Sequence, residues 1–329
     1  MIPLRLLTRT ATALLVGAAA ALGATNACAA YPDRPITIIV PYPVGGATDT
    51  LARGVGAKIS ETFKQSVVIE NRTGGSGFIG MGMAARAPAD GYTILFGAVA
   101  DAAIYSAAAI QPPAVNLEKD FTPLAGIASA PHLLVVPETL PAKNAQQLID
   151  FLKQAPGKHN FASIGIGTLS HLEGELLMLA TGVKIVHVPY RGGSQALVDL
   201  VSGSSSMMFL SAPNAIPQVK NGKIKVLAVA SDKRLALLPD VPTLAESGVS
   251  GFNAENRFGF FAVKGTPPAI IEQVSQAMGQ ALQQPDLKSR LEDQGMSVNY
   301  ANPTEFARQT SADFRLYEDI VKRADIKLD

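Results

Sequence analysis

The sequence predicts an α/β protein of two lobes, each built on a mixed, mostly parallel sheet flanked by helices. Three observations carry that prediction. β-Branched apolar runs alternate with segments of helical period along the chain. Roughly 300 residues beyond the leader exceed one comfortable core. The phrase "VPYPVGG" at 40–46 nearly recurs as "VPYRGG" at 188–193, each time ending an apolar run, pairing glycines and opening a helix.

The first thirty residues read as an address. Arg5 and Arg9 precede an apolar stretch at 11–24, and Ala27-Cys28-Ala29 is a small-x-small cleavage signal. Such a signal peptide, spanning 1–29, is expected to be cut near Ala29 or Ala30. Lipidation at Cys28 is disfavoured by the poor lead-in Thr25-Asn26-Ala27. The single cysteine then leaves with the leader, and a core of this size needs no disulfide. No later stretch is long and apolar enough to span a bilayer, so a soluble, exported protein is expected. Lys and Arg number 28 against 27 Asp and Glu, which gives no electrostatic case for nucleic acid or an anionic membrane.

The elements follow in order. "ITIIVPY" at 36–42 is too continuously apolar for a half-exposed strand and predicts a buried parallel one. A helix from about Thr48 carries Leu51, Val55, Ile59 and Phe63 as one apolar stripe. "SVVIEN", a glycine-rich turn with a small-residue helix, "YTILFG" and "HLLVVP" (132–137) come next. Asn144 predicts an N-cap for "NAQQLIDFLKQA". After the strand "NFASIGIG", Ser170-x-x-Glu173 reads as a capping box for "SHLEGELLMLA". "KIVHVPY", the helix "SQALVDLVS", then "SMMFLS" and "IKVLAVAS" continue the alternation. Two amphipathic helices from about Pro268 and Pro303 close the chain. The expected lobe crossings are 128–131 and 247–257, with a hinge near Ala130 and Ser250. Lobe one then comprises 30–129 plus 252–329, and lobe two 130–251.

The repeated phrase has a physical use. A helix N-terminus carries unpaired N–H groups and partial positive charge, and glycines before it let an anion approach the backbone. Prolines 41 and 43 stiffen the first approach, and Tyr42 and Tyr190 bring hydroxyls to the two mouths. Two such cradles facing each other suit a ligand with carboxylates, one seized by each lobe. Ordinary βα turns, in which glycine and proline are common, are the plain alternative.

The segments "YPDRPITIIVPYPVGGATDTLAR", "VIENRTGGSGFIG", "ADGYTILFG", "HVPYRGGSQALVDLVSG", "LPDVPTLAESG" and "FGFFAVKGTPPAII", in this order, resemble the Bug receptors. These are TctC-type periplasmic solute-binding proteins of tripartite tricarboxylate transporters. The resemblance implies a type II periplasmic binding fold whose lobes close on a small organic carboxylate (a di- or tricarboxylate or an aromatic acid). It also implies a periplasmic location, no cofactor, delivery to integral membrane permease subunits, and a monomeric shuttle. By match to the motifs it assigns ligand contact to Tyr42, Gly46, Thr48 and Asp49, to Ala98, to Thr168, Ser170 and His171, and to Tyr190, Gly193 and Ser194. Two departures stand out. Leu210 replaces an aspartate common after "MMF", which disfavours an amino-acid ligand. Arg257 replaces an aromatic; it could grip a distal carboxylate bidentately or sit as a surface arginine on the hinge side.

Other motifs resolve blandly. "GSGFIG" at 75–80 fits a dinucleotide fingerprint, but no acidic residue ends the next strand, so a tight turn with close helix packing is expected. His171 and Glu175 stand one turn apart without an H-E-x-x-H order, and no metal is expected. His132, His159 and His187 read as strand or surface histidines. The nucleophile elbow G-x-S-x-G is absent, so an enzyme is not expected; a serine hydrolase assembled from distant residues is the remote alternative. A sensor on the same fold is the nearer one. Asp49 and Arg53 are expected to form a local i,i+4 ion pair.

Overall fold

A computed structural model describes residues 31–252 and 255–327. The leader expected at 1–29 lies outside them. The fold is carried by the compact unit from Arg34 onward.

Strand β1 (Ile36–Val40) has Ile36, Ile38, Ile39 and Val40 buried, as a strand covered on both faces must. Helix α1 (Ala47–Phe63) follows and buries Leu51, Val55 and Ile59, each contributing about 2 kcal/mol of apolar burial. Then come β2 (Val67–Asn71), a 3-10 turn at Gly75–Gly77, α2 (Phe78–Ala85), β3 (Thr93–Ala98), α3 (Val99–Ala108) and α4 (Leu117–Asp120). The glycine-rich segment is the tight turn expected of it. A Cβ on Gly80 would strike the Arg72 carbonyl and lie 3.0 Å from Pro41 Cβ, so α2 rests directly on the chain leaving β1.

β4 (Phe121–Pro137) is a single strand of seventeen residues. The sequence predicted only its last third as strand, but the strand runs without a break through Pro123 and Pro131 and through the expected crossing at 128–131. Then follow α5 (Ala145–Gln154), β5 (Asn160–Ser163), α6 (Leu169–Thr181), β6 (Val186–Pro189), α7 (Gly193–Ser202), β7 (Met207–Ser211), α8 (Ala212–Lys220) and β8 (Ile224–Val229). The chain ends with β9 (Glu255–Val263), α9 (Pro268–Leu282), α10 (Pro285–Glu292), β10 (Ser297–Ala301) and α11 (Pro303–Arg323). Asn144 caps α5 by accepting from the Gln147 N–H. The capping box at Ser170 does not form: Thr168 is the N-cap of α6, and Glu173 is buried against His132 instead.

The strands form one curled, mixed sheet in the order β2-β1-β3-β9-β4-β7-β5-β6, with β8 and β10 also paired to β4. Parallel pairs occupy its two ends, β1 with β2 and β3, and β5 with β6 and β7. The antiparallel middle comes from β4 and β9. β4 changes partners in mid-course: Phe121 to Pro131 pair with β9, whereas His132 onward pairs with β7 and β8. Apolar cores lie on either side of that change, one around Phe121, Phe261 and Phe306, the other around Phe161, Phe209 and Leu148. The architecture is the two-lobe periplasmic binding fold.

Candidate functional site

At the change of partners on β4 a small cavity of about 50 Å³ opens. Crevices at such topological switch points, beyond the carboxyl ends of strands, are where open α/β sheets hold ligands. The loop after β1 lines one side with Tyr42, Pro43, Gly46, Ala47 and Thr48. The entry to α7 lines the other with Gly192, Gly193 and Ser194, so both halves of the repeated phrase reach one place. They touch there: a Cβ on Gly192 would lie 2.5 Å from Pro43 Cγ. Gly192 has φ +139 and ψ 169, a conformation essentially confined to glycine. Neither α1 nor α7 has a side-chain cap, so their first-turn N–H groups are not claimed by one.

Asp49 shapes the first loop from behind. Its carboxylate, 3 % exposed, accepts from the Gly45 N–H at 2.9 Å, Asn71 Nδ2 at 3.0 Å and Arg53 Nε at 3.0 Å. Asn71 Nδ2 also donates to the Tyr42 carbonyl. Burial pushes the Asp49 pKa up, but Arg53, the Gly45 N–H and Asn71 outweigh it and hold the group below the usual carboxylate value. The i,i+4 pair expected with Arg53 is present at 2.9 Å.

Thr168, Ser170 and His171 are buried at the start of α6 and brace the neighbouring loop. Thr168 Oγ1 donates to the Gly165 carbonyl at 2.6 Å, Ser170 Oγ accepts from the Ile164 N–H, and His171 Nδ1 accepts from the Gly167 N–H. Of this loop Ile164 lines the cavity. Ser76 Oγ donates to the Ile166 carbonyl at 2.5 Å from the opposite side. His171 Nε2 approaches Glu175 at 3.6 Å, and its ring stacks on His187 at 4.1 Å. Burial, then the neighbouring His171, lowers the His187 pKa to about 4. Among the described residues no group of three His, Cys, Asp or Glu is placed to hold a metal.

Of the residues singled out from sequence, Tyr42, Gly46, Thr48, Gly193 and Ser194 line the cavity. Asp49, Thr168, Ser170 and His171 brace its loops. Ala98 is buried as the N-cap of α3, paired in register with the cavity residue Phe258. Tyr190 turns its hydroxyl to Asp199. Arg257 lies elsewhere. Its Nε is 2.9 Å from Asp313 Oδ2, in a larger groove lined also by Glu255, Lys288 and Tyr317. Leu210 packs in the core beneath α7 and α8 and does not line the cavity.

The sequence missed Asp101, His132, Ser211, Asn214, Asn256 and Phe258, all of which line the cavity. Asp101 left a trace: a lone carboxylate in the alanine-rich run "AVADAAIYSAAA". It is 2 % exposed and accepts from the Leu169 N–H at 2.9 Å, Tyr42 O–H at 3.1 Å and Asn256 Nδ2 at 3.3 Å. Burial raises its pKa above the usual value, against the pull of Leu169 N–H, His132 and Tyr42. Burial, then Asp101, drives the Tyr42 phenol well above its ordinary value, so it stays a donor. His132 Nδ1 meets Glu173 Oε2 at 2.6 Å. Burial disfavours the imidazolium, yet Glu173 and Asp101 outweigh it and raise the His132 pKa. His132 is the buried strand histidine that the sequence suggested, and it faces the cavity as well.

The receptor family of the tripartite tricarboxylate transporter, TctC, matches residues 51–326. The chain is 31% identical to protein BugT of Bordetella pertussis (strain Tohama I) over 311 residues, 94% of this chain and 95% of that one. Among solved structures, R. palustris Rpa4515 with adipate is 34% identical, with a TM-score of 0.87 over 90% of this chain and 99% of that one. MatC (Rpa3494) from Rhodopseudomonas palustris with bound malate is 32% identical, with a TM-score of 0.84 over 88% of this chain and 100% of that one.

Proposed function

The chain belongs to the tripartite tricarboxylate transporter receptor family, and from that premise we propose that it captures a small organic carboxylate in the periplasm by lobe closure and hands it to the transporter's membrane permease. The family is one of receptors, not enzymes, in line with the missing nucleophile elbow. The observation that carries the proposal is the convergence of the α1 and α7 N-termini on one cavity, in contact through Pro43 and Gly192. Each helix end carries roughly half a positive charge, so together they match about one carboxylate. The two cradles then seize a single carboxylate jointly rather than one each. Adipate in Rpa4515 and malate in MatC support this class of ligand.

The lobe boundaries proposed are those read from the sequence, 30–129 with 252–329 and 130–251. The exchange of partners on β4 between Pro131 and His132 supports them. Lobe closure brings the Pro43 loop onto Gly192 and Ser76 onto Ile166, and opening parts both contacts. Thr48 and Ser194, each at the first turn of a cradle helix, are the hydroxyls assigned to the shared carboxylate.

A thermal-shift screen of the mature protein against organic acids, amino acids and aromatic carboxylates tests this. A ligand at about a thousand times its Kd stabilises by roughly 4 kcal/mol, several degrees in Tm. Saturable stabilisation by carboxylates alone is expected. A protein free of co-purified ligand by mass spectrometry that responds to no carboxylate would refute the proposal.

A further inference from the structure

The far side of the cavity, away from the two helix ends, has an unusual chemistry for an anion receptor. Among the described residues, no Arg or Lys lines the cavity. Its one cationic candidate, His132, is already matched by Glu173 at 2.6 Å. Asp101 adds a carboxyl with no cation in contact with it.

The hydrogen bonds fix Asp101 as an acceptor. The Ala100 N–H donates to Asn256 Oδ1 at 3.2 Å, which orients that amide and aims its Nδ2 at Asp101. With the Tyr42 O–H and the Leu169 N–H, three donors converge on the carboxyl, an arrangement suited to the ionised form. Among the described residues Oδ1 accepts only from Leu169, which leaves it a lone pair. In the lining of the same cavity Ser211 Oγ is buried with no partner among the described residues, and Asn214 lines the cavity as well. A buried orphan hydroxyl is costly unless a ligand completes it.

We infer that Asp101 sets the charge class of the ligand: the site takes a monocarboxylate whose other end donates hydrogen bonds, an ammonium or hydroxyl, in preference to a diacid of equal length. This rests on the carboxylate reading above and deepens it. The helix ends supply positive potential for about one carboxylate. A second ionised carboxylate would meet the like charge of Asp101 instead, with no Arg or Lys on the wall to offset it and with His132 already shared between Glu173 and Asp101. A donor end meets the free lone pair of Asp101 and the Ser211 hydroxyl. Selectivity here therefore comes from an anion held in the wall, which repels the wrong ligand as well as greeting the right one.

Isothermal titration at pH 7.5 with matched sets tests the inference. The sets are adipate, 6-hydroxyhexanoate, 6-aminohexanoate and hexanoate; succinate, 4-hydroxybutyrate, 4-aminobutyrate and butyrate; and terephthalate, 4-hydroxybenzoate, 4-aminobenzoate and benzoate. In the set that fits best, a donor-ended acid should bind at least tenfold more tightly than both its diacid and its unsubstituted partner. Asp101→Asn should shrink the preference over the diacid at least fivefold, and Ser211→Ala should weaken the donor-ended acid alone. The wild-type comparison stands even if a variant fails to fold. A diacid that binds wild type as tightly as the donor-ended acid, or a folded Asp101→Asn protein with an unchanged ratio, overturns this inference alone. Failure of every acid in all three sets overturns it together with the carboxylate reading.

Discussion

Gly192→Ala separates backbone strain from wedging at the point where the two halves of the repeated phrase meet. The new methyl carbon would sit 2.5 Å from Pro43 Cγ and 2.9 Å from Pro43 Cδ, where ordinary contact begins near 3.4 Å. Two costs arise. At φ +139 a side chain is strained by about 1–3 kcal/mol whether the cleft is open or shut. The wedge adds about 1–3 kcal/mol, and only while Pro43 is seated on Gly192. The first cost lowers Tm. The second falls on the closed, loaded form, and it should weaken binding by about 5- to 150-fold. Pro43→Ala removes both clashing carbons and leaves a Cβ at 3.6 Å, so Pro43→Ala/Gly192→Ala should recover most of the affinity lost to the wedge but none of the Tm lost to strain. Titration calorimetry with the best carboxylate of the screen, together with thermal melts of all four proteins, completes the cycle. Wild-type affinity in Gly192→Ala, or a double variant no better than the product of the singles, refutes the shared-cradle geometry.

Asp49→Ala removes the acceptor of Gly45, Asn71 and Arg53 and should cost about 2–3 kcal/mol, with weaker binding through a loosened loop. Because the folded pKa of Asp49 lies below its ordinary value, its contribution is present above that value and lost as pH falls through the folded one. Urea melts at pH 7 and pH 3 should therefore differ less in the variant than in wild type. Asp313 runs the other way. Burial raises its pKa to about 6 despite Arg257, so its contribution is complete below about pH 4 and lost as pH rises through about 6, a change of roughly 3 kcal/mol. Asp313→Asn should abolish that decline, while Arg257→Ala, which lies outside the cavity, should leave ligand affinity within twofold. A collapse of diacid affinity in Arg257→Ala would show that the arginine reaches the ligand.

The sequence by itself determined what local pattern and repetition encode. The stripe Leu51, Val55 and Ile59, the Asn144 cap and the buried run of β1 are short-range rules, and the structure obeys them. The repeated Val-Pro-Tyr phrase named both cradles, because a glycine before a helix is visible without knowing what faces it. Motifs distributed over the whole chain likewise fixed the receptor family. Only the tertiary structure decided what the cradles face. Asp101, His132, Ser211 and Asn256 come from α3, β4, β7 and β9 and meet only because β4 exchanges partners at Pro131 and His132. The same geometry turned Ser170 and Glu173 from a helix cap into a loop brace and a histidine partner. It sent Tyr190 to Asp199 and Arg257 to Asp313. Charges and hydroxyls find their partners through space, and residues 155 positions apart, such as Asp101 and Asn256, leave no period or spacing by which one announces the other.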